Sequence, residues 1–182
     1  MTPMNTPGFE IRRAVPEDLA LLPGIERLAG YLFKTYPLDL GIPEEMYQTP
    51  NSVETFAAAQ KAGRLWVATV SGEELVGFAL AMEIEGYAHL EEIDVLPSYG
   101  GKGIGSALLA RVCSWATDTG HPAVTLRTFR DVPWNGPFYQ SRGFRIVDSA
   151  ALSAAHVELE VSERQRGLRT DTRVTMVYET AG

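Results

Sequence analysis

The stretch 97-PSYGGKGIGSALLARV-112 constrains the fold more than any other part of the chain, because four glycines stand directly before an apolar helical pattern. The segment 88–96 precedes it and is predicted to be a strand. Glycine loses more backbone entropy on folding than any other residue, so such a cluster marks a tight turn or a close approach of the backbone. A strand, a glycine turn and a helix N-terminus present free N–H groups and the positive end of a helix dipole. The order predicts a site for phosphate oxygens, and a turn that binds nothing is the alternative.

Two familiar phosphate-binding motifs do not fit these glycines. In the dinucleotide fingerprint G-x-G-x-x-G, the third glycine would fall on Ser106 or Leu108, depending on which glycine starts the count. A P-loop requires glycine at the position of Leu96 and serine or threonine at the position of Gly103. A glycine-loop protein that binds ATP or NAD is therefore disfavoured.

The bulk properties favour one globular domain, predicted over residues 1–182, with a sizeable core. A net charge of −7 argues against a protein that binds nucleic acid regardless of sequence, which normally presents a basic face. The single cysteine, Cys113, excludes an intrachain disulfide. No apolar segment is as long as that of a signal peptide or a membrane span. We therefore expect a cytoplasmic protein without a nucleic-acid or membrane partner. His121 and His156 stand in no recognisable pattern and are expected at the surface.

The remaining sequence alternates strand and helix patterns, which predicts a mixed sheet with helices packed on it. One helix is expected to begin at Pro16 and to bury an apolar stripe that ends at Leu28, and another to begin after the N-cap Ser52. Residues 31–51, rich in proline and aromatics, predict an irregular loop. Strands are predicted at 9–14, 64–70, 75–84, 88–96, 123–129, 144–148 and 173–179, and helices at 16–28, 52–63, 104–120, 135–142 and 151–167.

The sequence resembles the GNAT superfamily of N-acetyltransferases at two motifs, which occur in the same order as in that family. The first, IDVLPSYGGKGIGSALL, reproduces the family's apolar strand, its V-x-P and its R/Q-x-x-G-x-G/A at the start of a helix, except that Gly100 stands where arginine or glutamine is usual. The second, WNGPFYQSRGF at 134–144, reproduces an asparagine, a helix with tyrosine and a glycine-aromatic pair. The resemblance spans about residues 9–148. It implies a GNAT-like α/β (α+β) fold, with a mixed, mostly antiparallel sheet of six to seven strands flanked by helices.

The resemblance also implies acetyl-CoA as the co-substrate and no metal. The backbone of Ile93 and Val95 would pair with the pantetheine arm as an added strand. Asn135 would contact the same arm, and Tyr139 would protonate the departing thiolate. Gly100 removes one side-chain donor, so the pyrophosphate contact would rest on backbone amides. These amides belong to Gly101, Lys102, Gly103, Gly105 and Ser106.

Acetyl transfer to an amine needs a base, because an alkylamine with a pKa near 10.4 is almost fully protonated at pH 7 and only its neutral form attacks a thioester. The segment 89-HLEEIDV-95 offers candidates. Alternation along a strand places His89 and Glu91 on one face and Glu92 and Asp94 on the other, and a bulge, which the family often has here, would shift that pattern. Relatives have bases at the positions of His89 and Glu91. We predict Glu91 as the base, with Glu92 attracting or positioning the ammonium ion; a solvated strand end and a structural histidine are the alternatives.

The predicted function is an N-acetyltransferase that moves acetyl from acetyl-CoA to a primary amine of a small molecule or peptide by direct attack. The alternative is a non-catalytic acyl-CoA-binding or regulatory module with the same fold, in which Tyr139 only packs against Phe138 and Phe144. The oligomeric state is left open, and a homodimer is one alternative.

The walls of the acceptor site are expected, by family analogy, in the segments 31–43 and 128–135. Arg130 and Asp131 would select for charge, and the net charge of −7 mildly favours a cationic acceptor. The aromatic residues of these segments either shape an apolar pocket or pack as ordinary core: Phe33, Tyr36, Phe129 and Trp134.

Overall fold

The computed structural model describes residues 8–180, so the domain predicted over residues 1–182 extends past the described part at both ends. Its strands are β1 (Phe9–Arg13), β2 (Leu65–Val70), β3 (Glu74–Ile84), β4 (Tyr87–Val95), β5 (Ala123–Phe129), β6 (Arg145–Val147) and β7 (Arg173–Glu179). They form one seven-stranded sheet in the order β1-β2-β3-β4-β5-β7-β6. All neighbouring pairs are antiparallel except β4 and β5, which are parallel. The predicted α/β fold with a mixed, mostly antiparallel sheet is confirmed.

Six α-helices flank the described sheet: α1 (Leu22–Gly30), α2 (Glu44–Gln48), α3 (Val53–Lys61), α4 (Ile104–Asp118), α5 (Gly136–Gln140) and α6 (Ala154–Gln165). As predicted, the Ser52 hydroxyl caps α3 by accepting a hydrogen bond from the Thr55 amide. None of the helices within residues 8–180 is long and apolar enough to cross a membrane.

The first helix and the loop after it differ from the prediction. Pro16–Asp18 forms only a 3-10 turn, and α1 starts later, with a proline in its first turn where a missing N–H costs nothing. Leu28 is 51% exposed, and Ala29 is buried in its place, because seven residues after Leu22 is close to two full turns. The segment expected to be an irregular loop contains α2 and a 3-10 turn at Tyr31–Thr35.

Two apolar clusters lie on the two faces of the sheet. The cluster on one face is built by α4 against the central strands, with Leu108 and Val112 fully buried. The cluster on the other face is built by α1 and α3, where the Phe56 ring meets the edge of Phe78 at a centroid distance of 5.1 Å. The side chains of β4 therefore point either toward α4 or toward the opposite face of the sheet.

Candidate active site

A cavity of about 350 Å³ opens where β4 leaves β5. The two strands are paired only from Ala88–Leu90 to Val124–Leu126, although β4 continues to Val95 and β5 to Phe129. Beyond Leu90, the edge of β4 that faces away from β3 therefore has no partner in the described sheet. Residues of α1, α2, β4, β5, α5 and α6 line the cavity.

A bulge in β4 determines which side chains reach this cavity. The register against β3 shifts between Leu80, opposite Glu92, and Ala81, opposite Leu90, so Glu91 is an extra residue. The bulge inverts the alternation on its C-terminal side. The residues that pack under α4 are therefore Ala88, Leu90, Ile93 and Val95.

The division of the strand's polar residues expected from strict alternation is thus wrong, and the bulge that the resemblance led us to expect shifts the pattern by one residue. His89, Glu92 and Asp94 share the face opposite α4, and Glu91 projects from the bulge itself. All four side chains line the cavity. The Glu91 carboxylate lies 3.8 Å from His89 Nε2. The structure therefore brings all of the candidate bases to one place.

Four carboxylates surround this part of the cavity, and burial raises the pKa of each of them: Glu26, Glu91, Glu92 and Asp94. The charge of Asp94 raises the pKa of Glu92 further, and that of Glu26 raises the pKa of Asp94. Glu26, which the sequence did not single out, lies on α1 and accepts hydrogen bonds from the Asn51 backbone and side chain at 3.0 and 3.2 Å. Such a cluster favours either protonated carboxyls or a bound cation.

Tyr139 faces the cavity from α5. It is only 4% exposed, and its ring packs between Phe138 and Phe144, with centroid distances of 5.1 and 5.6 Å. Burial, followed by the charges of Glu92 and Asp94, raises the pKa of the phenol. The Tyr139 ring therefore packs against Phe138 and Phe144, as expected for a structural residue. Its phenol also keeps its proton near the carboxylates.

Asn135 precedes α5 and also lines the cavity. Its Oδ1 atom is buried and has no hydrogen-bond partner among residues 8–180. A buried polar atom left without a partner costs free energy, so this atom is available to a ligand. Its position between the cavity and the start of α5 is compatible with the predicted contact to a cofactor arm.

The glycine loop leads into α4 with two residues in the left-handed region, Gly101 at φ +73° and Gly103 at φ +84°. In the described structure, the amides of residues 101–103 have no hydrogen-bond acceptor, and the first turn of α4 adds the free N–H groups of a helix start. Gly100, by contrast, has an ordinary φ of −59°. The loop therefore presents the row of donors that a phosphate group requires.

A cation lies beside this loop although Gly100 provides none. Arg142 donates to the Ser106 hydroxyl from Nε at 3.1 Å and also from Nη2. It is held there by a bond to the Phe138 carbonyl at 2.9 Å and by the Phe138 ring, 3.8 Å from its guanidinium carbon. Arg142 was not predicted from the sequence, because the family's motif has its side-chain donor before the glycines and not after the tyrosine.

The aromatic residues predicted to wall the acceptor site form a small core. Phe33 packs against Phe129 at 5.3 Å and Trp134 at 6.0 Å, and Tyr36 meets the edge of Trp134. Phe33 and Phe129 line the cavity, whereas the other two lie behind them. Arg130 and Asp131, expected to select charge, are exposed and are absent from the described cavity wall.

His156 is fully buried, so its predicted surface position is wrong. The segment predicted as a helix at 151–167 contains α6, which packs this histidine against β5 through a hydrogen bond to the Thr125 hydroxyl. Cys113 packs against the cluster under α4, where burial raises the pKa of its thiol to about 11. Within the part of the chain that the structure describes, no group of three His, Cys, Asp or Glu side chains has the arrangement of a metal site.

Comparison with known structures gives the same fold. The PaiA N-acetyltransferase of Thermoplasma acidophilum, solved with coenzyme A, is 20% identical over 94% of this chain and 98% of its own, with a TM-score of 0.69. The Escherichia coli ribosomal-protein-S18-alanine N-acetyltransferase is 20% identical over 96% of this chain and 95% of its own, with a TM-score of 0.65. Arabidopsis thaliana Naa50, solved with the bisubstrate analogue CoA-Ac-MVNAL, is 16% identical over 94% of this chain and 99% of its own, with a TM-score of 0.62.

These identities are low, so the three structures support the fold alone. The sequence itself provides the assignment to a family, because the model of the acetyltransferase (GNAT) family matches residues 30–144, which is well over half of the chain. That match contains the glycine loop, the bulged strand and the segment with Asn135 and Tyr139. The protein belongs to the acetyltransferase (GNAT) family.

Proposed function

We propose that the protein is an N-acetyltransferase that moves acetyl from acetyl-CoA to a primary amine of a small molecule or peptide by direct attack. The observation that carries the proposal is that one cavity receives both a cluster of carboxylates from β4 and the Tyr139 phenol from α5. A proton acceptor and a proton donor are the two groups that this reaction needs. The glycine loop connects the same strand with α4.

Acetyl-CoA fits the residues around the cavity and supplies the activated thioester when bound. The unpaired amides of the loop are suited to its pyrophosphate, with Gly101, Lys102, Gly103, Gly105 and Ser106 as the predicted donors. Arg142 adds a guanidinium where Gly100 leaves none. Among residues 8–180, the edge of β4 at Ile93 and Val95 has no partner strand and is suited to an extended arm, and the buried Asn135 oxygen has no hydrogen-bond partner.

Glu91 removes the proton from the acceptor amine in this proposal. Its raised pKa reduces the gap between the carboxylate and an alkylammonium ion, whose pKa is about 10.4. Glu92 and Asp94, together with Glu26 on α1, attract the ammonium ion and hold it near Glu91. His89 Nε2 lies 3.8 Å from the same carboxylate.

Tyr139 gives a proton to the leaving sulfur. Its phenol is neutral in the resting protein, because burial and the charges of Glu92 and Asp94 oppose ionisation. An ammonium ion bound between those carboxylates offsets their charge and so makes the phenol a stronger acid when the acceptor is present. Acceptor binding and proton donation are thereby coupled.

The test combines a turnover assay with calorimetry of coenzyme A binding. Thiol release from acetyl-CoA is measured across a panel of primary amines, and the wild-type protein is expected to release thiol with at least one of them. Tyr139→Phe is expected to lower kcat by about 100-fold, the lower end of general acid–base contributions, with little change in the Kd for coenzyme A. Tyr178→Phe is the matched control, because the Tyr178 ring also packs against Phe144, at a centroid distance of 5.4 Å, but does not line the described cavity.

Two results would contradict the proposal. Tight binding of coenzyme A without thiol release for any amine would favour the non-catalytic binding module. Equal losses of turnover and of coenzyme A binding in Tyr139→Phe would show that the tyrosine acts by packing alone.

A further inference from the structure

A chain of hydrogen bonds connects the cavity with the outside of the protein through buried side chains. His89 Nδ1 on β4 lies 2.8 Å from the Thr125 hydroxyl on β5. The same hydroxyl lies 3.0 Å from Nε2 of His156 on α6, and Nδ1 of His156 lies 2.7 Å from the hydroxyl of Ser153. His89 is 3% exposed, Thr125 and His156 are fully buried, and Ser153, directly before α6, is partly exposed.

The cavity end of this chain is the predicted base. Glu91 Oε2 lies 3.8 Å from His89 Nε2, so an approach of about 1 Å brings the two atoms to hydrogen-bond distance. The Glu91 side chain is about one-third exposed and stands on the bulge, so its torsions are free to make this movement. Every other link already has hydrogen-bond geometry.

Every member of the chain can both donate and accept. A hydroxyl does so at one oxygen, and a neutral imidazole donates from one nitrogen while it accepts at the other. Burial, followed by the charge of His156, lowers the pKa of His89 to about 3, and burial lowers the pKa of His156, so both rings are neutral. The other charged groups that act on His89 are Arg127 on β5 and Glu163 on α6.

We propose that His89, Thr125, His156 and Ser153 form a proton exit path that clears the base after each acetyl transfer. The inference rests on the proposed function, because that reaction produces the proton. An alkylammonium acceptor loses two protons during acetylation, one to the leaving sulfur and one to solvent. The second proton must leave a cavity lined by carboxylates before the next turnover.

The transfer balances at each link. Glu91 passes its proton to His89 Nε2, and His89 gives its Nδ1 proton to the Thr125 oxygen. Thr125 gives its hydroxyl proton to His156 Nε2, His156 gives its Nδ1 proton to the Ser153 oxygen, and Ser153 releases its hydroxyl proton to water. At the end Glu91 is a carboxylate, both imidazoles are neutral in the other tautomer, and one proton has moved outside. Reorientation of the hydroxyls and rings then resets the path.

Thr125→Val tests the path, because valine keeps the branched shape and removes the central hydroxyl. With the best alkylamine from the acceptor panel, we expect kcat at pH 7 to fall by about tenfold or more, and the Kd for coenzyme A to stay unchanged. Thr125→Ser keeps the hydroxyl and is expected to retain activity. Thr69→Val on β2 is the matched control, since the Thr69 hydroxyl is buried and has no hydrogen-bond partner in the described part of the chain.

The pH dependence of kcat separates proton transfer from packing. The defect of Thr125→Val is expected to shrink between about pH 7 and pH 9, because the neutral fraction of an alkylamine rises about tenfold per pH unit. Should valine prevent folding, His156→Phe interrupts the same path while keeping a ring next to Tyr87, and the same results are expected.

Wild-type turnover in a folded Thr125→Val protein, or a loss that is equally large at all pH values, would overturn the exit path and leave the acetyltransferase proposal standing. Absence of transfer by the wild-type protein to every amine would overturn both, since no proton would then be produced. The two failures are therefore distinguishable.

Discussion

Replacing Glu163 by glutamine removes the carboxylate that holds two arginines of the cavity wall against α6. Glu163 Oε2 accepts from Arg127 Nη2 at 2.8 Å, and Oε1 accepts from Arg173 Nη2 at 2.8 Å. The Glu163 side chain is 6% exposed, that of Arg127 5% and that of Arg173 14%. Glutamine has the same shape but no charge, so the substitution leaves two guanidinium groups in a poorly hydrated place.

The expected cost follows from this burial. Breaking a buried ion pair by removing one partner costs about 3–5 kcal/mol. Arg127 keeps Glu160 at 2.7 Å as a second partner, so the lower end, about 3 kcal/mol, is expected. For a chain of this length, about 2–4 °C of melting temperature corresponds to 1 kcal/mol, so Glu163→Gln is expected to melt about 6–12 °C below the wild type.

The pH dependence of this difference has a defined sign. Burial raises the pKa of Glu163, but its hydrogen bonds and the charges of Arg127 and Arg173 outweigh burial, so the pKa lies below its ordinary value. A carboxyl whose pKa is depressed in the folded state contributes stability above its unfolded pKa, about 4.3 for glutamate, and loses that contribution as the pH falls through the folded value. The two proteins are therefore expected to differ fully at pH 7 and to converge in acid.

Thermal unfolding followed by circular dichroism between pH 3 and pH 8 measures both the size and the sign. Glu179→Gln is the matched control, because Glu179 pairs with Arg145 at 2.6 Å with both side chains more than half exposed. Exposed pairs contribute about 0–1 kcal/mol, so this variant is expected to melt close to the wild type. If Glu163→Gln lost no more stability than Glu179→Gln at pH 7, the reasoning from burial would be refuted.

Three further variants test the loop and the carboxylates. Glu92→Gln is expected to melt at a higher temperature than the wild type at pH 8 and at the same temperature near pH 4. A carboxyl whose pKa is raised in the folded state loses its stabilising effect as the pH rises through that pKa. A difference in melting temperature that does not change with pH would contradict this. Gly103→Ala is expected to cost about 1–2 kcal/mol, because its φ of +84° is left-handed, whereas Gly24→Ala inside α1 is expected to stabilise by about 0.5–1 kcal/mol in urea titrations. Arg142→Gln is expected to weaken coenzyme A binding in calorimetry by about tenfold, since a hydrogen bond to a charged group contributes about 1.5–3 kcal/mol, while Arg145→Gln on the exposed β6 leaves the Kd unchanged.

The glycine loop and strands such as β5 and β7 could be predicted from the sequence because local rules determine them. Gly101 and Gly103 adopt backbone angles that other residues rarely tolerate, so the cluster itself identified the turn before the helix. The strands predicted at 123–129 and 173–179 coincide with β5 and β7, since their apolar runs are bounded by turn residues.

Local rules do not predict the bulge or the partners of the buried histidines, and only the resemblance to the family suggested the bulge. Alternation assumes two residues per repeat, whereas the extra residue Glu91 is fixed by the register of β4 against β3. The polar sequence around His156 gives no indication of its hydrogen bond to Thr125, which lies 31 residues earlier in the chain. Glu26 likewise reaches β4 from a helix more than 60 residues away, and neither residue belongs to a local motif.

The bulge interrupts the alternation of side chains along β4 and so brings carboxylates into the cavity. We expect the charge of these carboxylates to make acceptor binding depend on pH. The bulge turns Glu92 and Asp94 into the cavity, where burial, followed by the charges of the neighbouring carboxylates, raises their pKa values. The ionised cluster therefore destabilises the protein at high pH. A bound alkylammonium ion relieves this repulsion only when the carboxyls are ionised.

The melting temperature is therefore expected to rise more with the best alkylamine of the panel at pH 8 than at pH 5, since a ligand stabilises in proportion to RT ln(1 + [L]/Kd). Glu92→Gln removes one of the ionising groups and is expected to flatten that difference. An uncharged amide of the same shape, which cannot neutralise the carboxylates, is the control. A larger shift at pH 5 would mean that the cluster binds its ligand in the protonated form and that the acceptor is not a cation.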